Sequence, residues 1–152
     1  MTDDWHEFLT ELATAGVRFL VVGAHALAIH GIPRGTQDLD VWIERSAENA
    51  ARAWRALAAF GAPLESIDVS QADLERLNVV VQLGLPPNRI DLMTGISGIP
   101  EFSEAWSRRV EGAVHGRPFP FLGRADLITN KLAAGRPKDL ADVAALNEQG
   151  LS

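Results

Sequence analysis

Two aspartates one residue apart, Asp38 and Asp40, have the spacing in this chain best suited to chemistry. Leu39, Val41 and Ile43 interleave with them and are apolar, which is the pattern of a β-strand. Side chains two apart on a strand face the same way, so the two carboxylates project together while the apolar residues enter the core. Like charges held this close are unfavourable unless something positive lies between them. A hard divalent cation such as Mg²⁺ meets that need, taking one or two carboxylates together with substrate phosphates. A third acid, Asp91, stands between Ile90 and Leu92 on another apolar run. Upstream, Gly23 separates the apolar run ending at Val22 from a helical run. Glycine lets backbone approach a ligand closely, and the free amides of a helix start favour phosphate. Each piece has a plain alternative: solvated aspartates at strand edges, and a glycine that only turns the chain.

The elements that must position these groups can be read from periodicity. Trp5, Phe8, Leu9 and Leu12 recur at helical spacing, predicting a helix from Asp3 to Ala15 with Asp3 or Asp4 as its cap and Gly16 as its end. Val17 to Val22 reads as a buried strand, Ala24 to His30 as a short helix, and Ile32 to Gln37 as a loop turned by Pro33 and Gly35. Asp38 to Glu44 reads as the acidic strand. Ser46 caps a helix using Ala50, Ala51, Trp54, Leu57 and Ala58, which Gly61-Ala62-Pro63 stops. Further on, Asn78 to Leu83 and Arg89 to Met93 read as strands of a hairpin around Pro86-Pro87-Asn88. Pro100 to Arg109 reads as a helix, with strand-like runs at Val110 to Val114 and Pro118 to Leu122. Two helices close the chain, Arg124 to Ala134 and Pro137 to Asn147, with Pro137 suited to a first turn. Alternating helices and strands give an α/β or α+β class with a mixed sheet flanked by helices.

Composition narrows the function. A chain of 152 residues with 47% apolar and 22% charged residues suits one folded domain, residues 1–152, with the C-terminal helices 124–147 packed on it. There is no cysteine, which excludes disulfides and thiolate metal sites. No apolar run approaches the roughly 20 residues of a membrane span. The start, Met1-Thr2-Asp3-Asp4, lacks the layout of a signal peptide, so the chain reads as cytoplasmic. The net charge of −6 lies wholly in residues 1–100, where 13 acids face 7 arginines, while residues 101–152 balance 7 against 7. An acidic first part disfavours tracking long nucleic acid by bulk charge, leaves local contact with an RNA end open, and suits a site that gathers cations.

The stretch Val22-Gly23-Ala24-His25, continuing through His30-Gly31-Ile32-Pro33-Arg34-Gly35-Thr36-Gln37 to Asp38-Leu39-Asp40, resembles the signature of minimal nucleotidyltransferases related to DNA polymerase beta. More narrowly it is similar to the AbiEii-like branch found in bacterial toxin–antitoxin and phage-defence systems. Arg89-Ile90-Asp91-Leu92 resembles the strand bearing the third acid, and the segment from Lys131 through Arg136-Pro137-Lys138-Asp139 to Asp142-Val143 resembles the closing helices of that branch. The matches run in order from residue 22 to residue 143. The resemblance implies a nucleotidyltransferase fold with a C-terminal helical pair. It implies two Mg²⁺ ions, with Mn²⁺ as a substitute, held with an NTP by Asp38 and Asp40. Asp91 completes one metal site and helps deprotonate an acceptor hydroxyl, and Gly23 cradles the β- and γ-phosphates. The family places Gly or Ser after that first glycine; Ala24 supplies only a backbone amide. The acceptor is then an RNA end such as tRNA, a protein side chain or a small molecule, recognised with a partner protein or a second copy of the chain. Ala24 also supports an alternative, an NTP-binding module of little or no turnover acting through a partner. A kinase-like outcome on the same fold is a third reading.

Other residues weigh their functional and bland readings more evenly. Arg34 is a phosphate contact or a solvated loop arginine, and Thr36 a nucleotide contact or a turn residue. His25 and His30 have no histidine or cysteine at matching spacing and read as surface or helix-end residues rather than metal ligands. Lys131 borders an apolar helix face; it reaches a triphosphate or snorkels. Arg136 and Lys138 read as surface charges, and Asp139 and Asp142 as a solvated helix face. The four tryptophans read as core or interface residues.

Overall fold

The computed structural model of the protein describes residues 1–150. In chain order the elements are helix α1 (Asp3–Thr14), strand β1 (Phe19–Val22), helix α2 (Gly23–Ile29), strand β2 (Asp38–Ile43) and helix α3 (Ala47–Phe60). Strands β3 (Val80–Leu83) and β4 (Arg89–Met93), helix α4 (Phe102–Ser107), strands β5 (Val110–Val114) and β6 (Arg117–Phe121) and helices α5 (Arg124–Ala134) and α6 (Pro137–Gln149) follow. The class is mixed α/β, as the sequence predicts.

The helices form where their apolar faces and caps coincide. In α1 the four residues Trp5, Phe8, Leu9 and Leu12 are all buried, each worth about 1.5–3 kcal/mol of transfer energy. The cap lies one residue earlier than the acidic start suggests: the Thr2 hydroxyl accepts from the Trp5 amide at 3.2 Å, and Asp3 and Asp4 complement the dipole in the first turn. Helix α3 is capped by Ser46, which accepts from the Asn49 amide at 3.1 Å. It buries Ala50, Ala53, Ala56 and Leu57, small residues that let α1 lie against it, with Phe8 edge-on to Phe60 at 5.1 Å.

Most element boundaries shift by one or two residues from the sequence reading. Strand β1 starts at Phe19 rather than Val17, because the Asn49 side chain engages the Arg18 backbone: Oδ1 accepts from its amide at 2.7 Å and Nδ2 donates to its carbonyl at 3.0 Å. The helix expected from Pro100 begins only at Phe102, since Glu101 keeps an extended backbone. Helix α6 continues past Asn147 to Gln149.

One six-stranded sheet runs in the order β3-β4-β2-β1-β6-β5. The central strand β2 pairs antiparallel with β1 and parallel with β4. β3 and β4 form the expected antiparallel pair, as do β5 and β6, and β6 lies parallel to β1. A single cluster of buried apolar residues extends from Trp5 to Leu146 and includes Leu127 and Leu146 of α5 and α6. Trp5 and Trp42 are buried in it, while Trp54 and Trp106 pack at its margin.

Candidate functional site

The sheet register brings the predicted acids together. Asp40 on β2 lies directly across from Asp91 on β4 on one side and from Val22, the last residue of β1, on the other. Asp38 lies across from Arg89. The chain turns into α2 at Gly23, beside Asp40. Gly23 has φ +67°, a left-handed conformation costly to residues with a Cβ, and a Cβ there would run into Asp40 Oδ2 and come within 3.2 Å of its Cγ. Glycine is therefore required both by the turn and by the closeness of the carboxylate.

The electrostatics of this corner are unbalanced. Asp91 is only 8% exposed, and its Oδ1 is buried without a hydrogen-bond partner. The Asp40 carboxyl is pushed up to about 6, chiefly by burial and then by the charges of Asp91 and Asp38, with Arg89 opposing. Among the described residues Arg89 is the one cation in direct contact: its Nη2 donates to Asp38 Oδ2 at 3.1 Å and to Asp91 Oδ2 at 3.2 Å, while its Nε is buried without a partner. Helix α1 braces the strand from outside, with Trp5 Nε1 donating to the Arg89 carbonyl at 3.2 Å. His25, edge-on to Trp5 at 4.9 Å, has its pKa lowered by burial and then by the N-terminal charge, and its Nε2 is buried without a partner.

The donor chemistry of Asp38, Asp40 and Asp91 fits a hard divalent cation, since all ligands are carboxylate oxygens and one of them, Asp91 Oδ1, is buried with no cation or N–H donor on it. Their present arrangement does not close around one: among the described residues no three His, Cys, Asp or Glu side chains are grouped so as to hold a metal ion. Arg89 holds an oxygen of two of the three.

A second charged group lies between the closing helices, and here the expectation of a solvated face fails. Asp139 is 1% exposed and Asp142 6%. Lys131, 8% exposed, places Nζ 3.0 Å from Asp142 and 3.5 Å from Asp139. Arg34, from the loop before β2, pairs with Asp142 through Nε at 3.0 Å and also through Nη2. Arg136 donates to Asp139 from its backbone at 3.2 Å and from Nε at 2.6 Å, so it is a cap as well as a surface charge. Burial works to raise the Asp139 pKa, but the Arg136 hydrogen bond and the charges of Arg136 and Lys131 outweigh it and hold it below the usual value. The aspartates turn inward because their partners sit on three separate segments, which no local pattern displays.

Thr36 works on the backbone of the acidic strand: its hydroxyl accepts from the Asp38 amide at 3.1 Å and donates to the Asp38 carbonyl at 3.0 Å. Ala24 lies in the first turn of α2, half-buried. His30 contacts the Leu122 carbonyl through Nε2 at 2.8 Å, tying α2 to the end of β6. The sequence reading missed Arg89 as a site residue; its position two before Asp91 on a strand was the available signal.

A cavity of about 830 Å³ lies at the carboxyl ends of β2 and β4, lined by residues such as Ile43, Arg45, Glu75, Thr94 and Phe102. A smaller one of about 250 Å³ lies between α2 and the β5–β6 hairpin, with His25 in its wall. None of the three aspartates lines either.

Comparison with protein-family models and with curated proteins finds no match. Among solved structures, the chain superposes on a Thermotoga maritima protein described as a "putative nucleotidyltransferase". The TM-score is 0.63 over 95% of this chain and 91% of that one, at 18% sequence identity. The chain has the nucleotidyltransferase fold. Within that fold, the acidic corner and the Gly23 turn occupy adjoining strands β1, β2 and β4. No helix among the described residues is long and apolar enough to cross a membrane.

Proposed function

We propose that this chain is a divalent-cation-dependent nucleotidyltransferase that moves a nucleoside monophosphate from an NTP to a hydroxyl. The observation that carries this reading is the register that sets Asp40 beside Asp91 and against the Gly23 turn, on a nucleotidyltransferase fold. Asp38, Asp40 and Asp91 would hold Mg²⁺, or Mn²⁺ in its place. When bound, the cations neutralise triphosphate charge and favour the in-line displacement at the α-phosphorus. The chain's own contribution is positional. Gly23 and Ala24 offer backbone at the start of α2 to the phosphates. Asp91 Oδ1, buried and unpartnered, is an acceptor for the proton of the attacking hydroxyl. Lys131, Arg34 and Arg136 supply positive charge beside the site, and the Arg136 charge is already coupled to Asp40. Thr36 fixes the backbone that aims Asp38.

The acceptor classes that suit this chain are an RNA end such as tRNA, a protein side chain or a small molecule. Recognition would come from a partner protein or a second copy, in a cytoplasmic toxin–antitoxin or phage-defence setting like that of the AbiEii-like branch the motifs resemble. The decisive experiment incubates the protein with Mg²⁺, each α-labelled NTP, and cellular RNA or protein. Label transfer lost in Asp38→Ala and Asp40→Ala supports the reading; transfer that persists in both variants sinks it.

A second reading, an NTP-binding module of low turnover that acts through a partner, is favoured by specific contacts. Lys131 and Arg34 are committed to Asp142, and Ala24 brings no hydroxyl to the phosphate cradle. NTP binding without label transfer to any acceptor would select it.

A further inference from the structure

The acidic corner already contains a cation, and it is an arginine. Arg89 opens β4 two residues before Asp91, so the two side chains share a face, and it lies in register with Asp38 on β2. A single nitrogen, Nη2, spans carboxylates on two neighbouring strands, at 3.1 and 3.2 Å.

This is a poor seat for a guanidinium. Arginine binds carboxylates best through two parallel donors. The molecule shows that mode at Arg108, whose Nε and Nη2 both meet Asp126 at 2.9 Å. At Arg89 the Nε is buried and unpartnered, and Asp91 Oδ1 is likewise buried without a partner. Burying polar atoms without partners costs stability, so this pairing is weaker than the Arg108 pair. The other nearby cations cannot substitute, because Arg34 and Lys131 are engaged by Asp142, and Arg136 by Asp139.

We propose that Arg89 is a resident counter-ion that competes with divalent cations for Asp38 and Asp91, so that cation binding requires its guanidinium to leave the corner. The inference rests on reading the three aspartates as a cation site. A divalent ion bridging Asp38 and Asp91 comes against the Oδ2 atoms that Nη2 holds, and two positive centres repel strongly at contact distance. Displaced, Arg89 needs another anion, and the triphosphate of an NTP is the one the proposed reaction brings. Cation and nucleotide then bind cooperatively, each assisting the other. The nucleotide-free protein holds its cation weakly.

The test is a Mn²⁺ titration of the nucleotide-free protein, followed by electron paramagnetic resonance of the free ion, in wild type and Arg89→Met. Removing the competing charge is expected to tighten Mn²⁺ binding about tenfold. Adding a non-hydrolysable NTP is expected to strengthen Mn²⁺ binding to wild type much more than to Arg89→Met. A merely structural salt bridge predicts equal or weaker Mn²⁺ binding in Arg89→Met, and that result overturns the proposal while leaving nucleotidyl transfer standing. Absence of Mn²⁺ binding in both proteins, with and without NTP, overturns the cation-site reading and this inference together. If Arg89→Met does not fold, Asp38→Asn is compared with Asp38→Asn/Arg89→Met, which removes the cation and one carboxylate together. The double variant is expected to bind Mn²⁺ more tightly; equal or weaker binding overturns the proposal.

Discussion

Two groups of charge built around buried aspartates lie close together in this molecule, and they are balanced in opposite ways. Between α5 and α6, Asp139 and Asp142 meet Lys131, Arg34 and Arg136, so each acid touches two bases. At the sheet, Asp38 and Asp91 share the single cation Arg89, and among the described residues Asp40 forms no ion pair. The first group holds the Asp139 carboxyl below its usual range, and the second drives Asp40 up to about 6. A saturated cluster ties three segments of chain into one structure. A cluster short of positive charge stores instability that an added cation can relieve. The contrast separates a charge-balanced clamp from a charge-deficient corner without reference to any relative.

Substitution should therefore act on different quantities in the two places. The largest expected effect is on activity at the sheet. Asp91→Asn keeps the shape of the side chain but removes a carboxylate charge and a proton acceptor, and label transfer from an α-labelled NTP is expected to fall at least about 10³-fold. Circular dichroism should show an unchanged fold. Activity within tenfold of wild type would detach Asp91 from the chemistry and leave the sheet corner a structural oddity.

The next effect is on stability at the clamp. Lys131→Met leaves Asp139 and Asp142 buried with fewer partners, and breaking a buried pair in this way costs about 3 kcal/mol. Urea unfolding measures it as a shift in midpoint. A variant with near-wild-type stability but a greatly raised KM for NTP would move Lys131 from the clamp to the nucleotide, blurring the comparison.

Third, the sheet corner should gain stability where it loses function. The native Asp40 carboxyl titrates near 6 against 3.8 ordinarily, so between these values the folded state carries the extra proton. Stability from this group is then greatest in acid and declines as the pH rises through 6. Asp40→Asn removes that decline and is expected to stabilise the protein at pH 7–8 by about 2 kcal/mol while abolishing transfer. Unfolding free energies measured from pH 4 to pH 8 for both proteins decide it; a variant less stable than wild type at pH 8 contradicts the frustrated-charge account.

How much of this was legible beforehand follows from the range of the signals involved. The acidic strand, its glycine turn and the third acid each rest on local periodicity, and the sheet assembles them as their alternation predicts. The approach of Asp91 to Asp40 was legible only through the family resemblance, because a parallel register between strands some fifty residues apart leaves no local trace. Asp139 and Asp142 were misread for a related reason. On a helical wheel they resemble a solvated face, and only Arg34, over a hundred residues away, and Lys131 on the neighbouring helix reveal them as buried. Arg89 shows locally only its position two before Asp91, and the register with Asp38 is what gives it a second carboxylate.

The smallest effect concerns the loop that joins the two regions, where Arg34 reaches the clamp and Thr36 aims the acidic strand. The Thr36 hydroxyl accepts from the Asp38 amide and donates to the Asp38 carbonyl, which leaves it little capacity for a nucleotide. Thr36→Val keeps the branched shape and removes both bonds, so it should cost about 1 kcal/mol in urea unfolding. Because the lost bonds set backbone direction rather than substrate contact, the KM for NTP should stay within about twofold while kcat falls modestly as Asp38 loses its aim. A tenfold rise in KM at unchanged stability would instead put the hydroxyl on the nucleotide, and the loop would belong to the site rather than to its support.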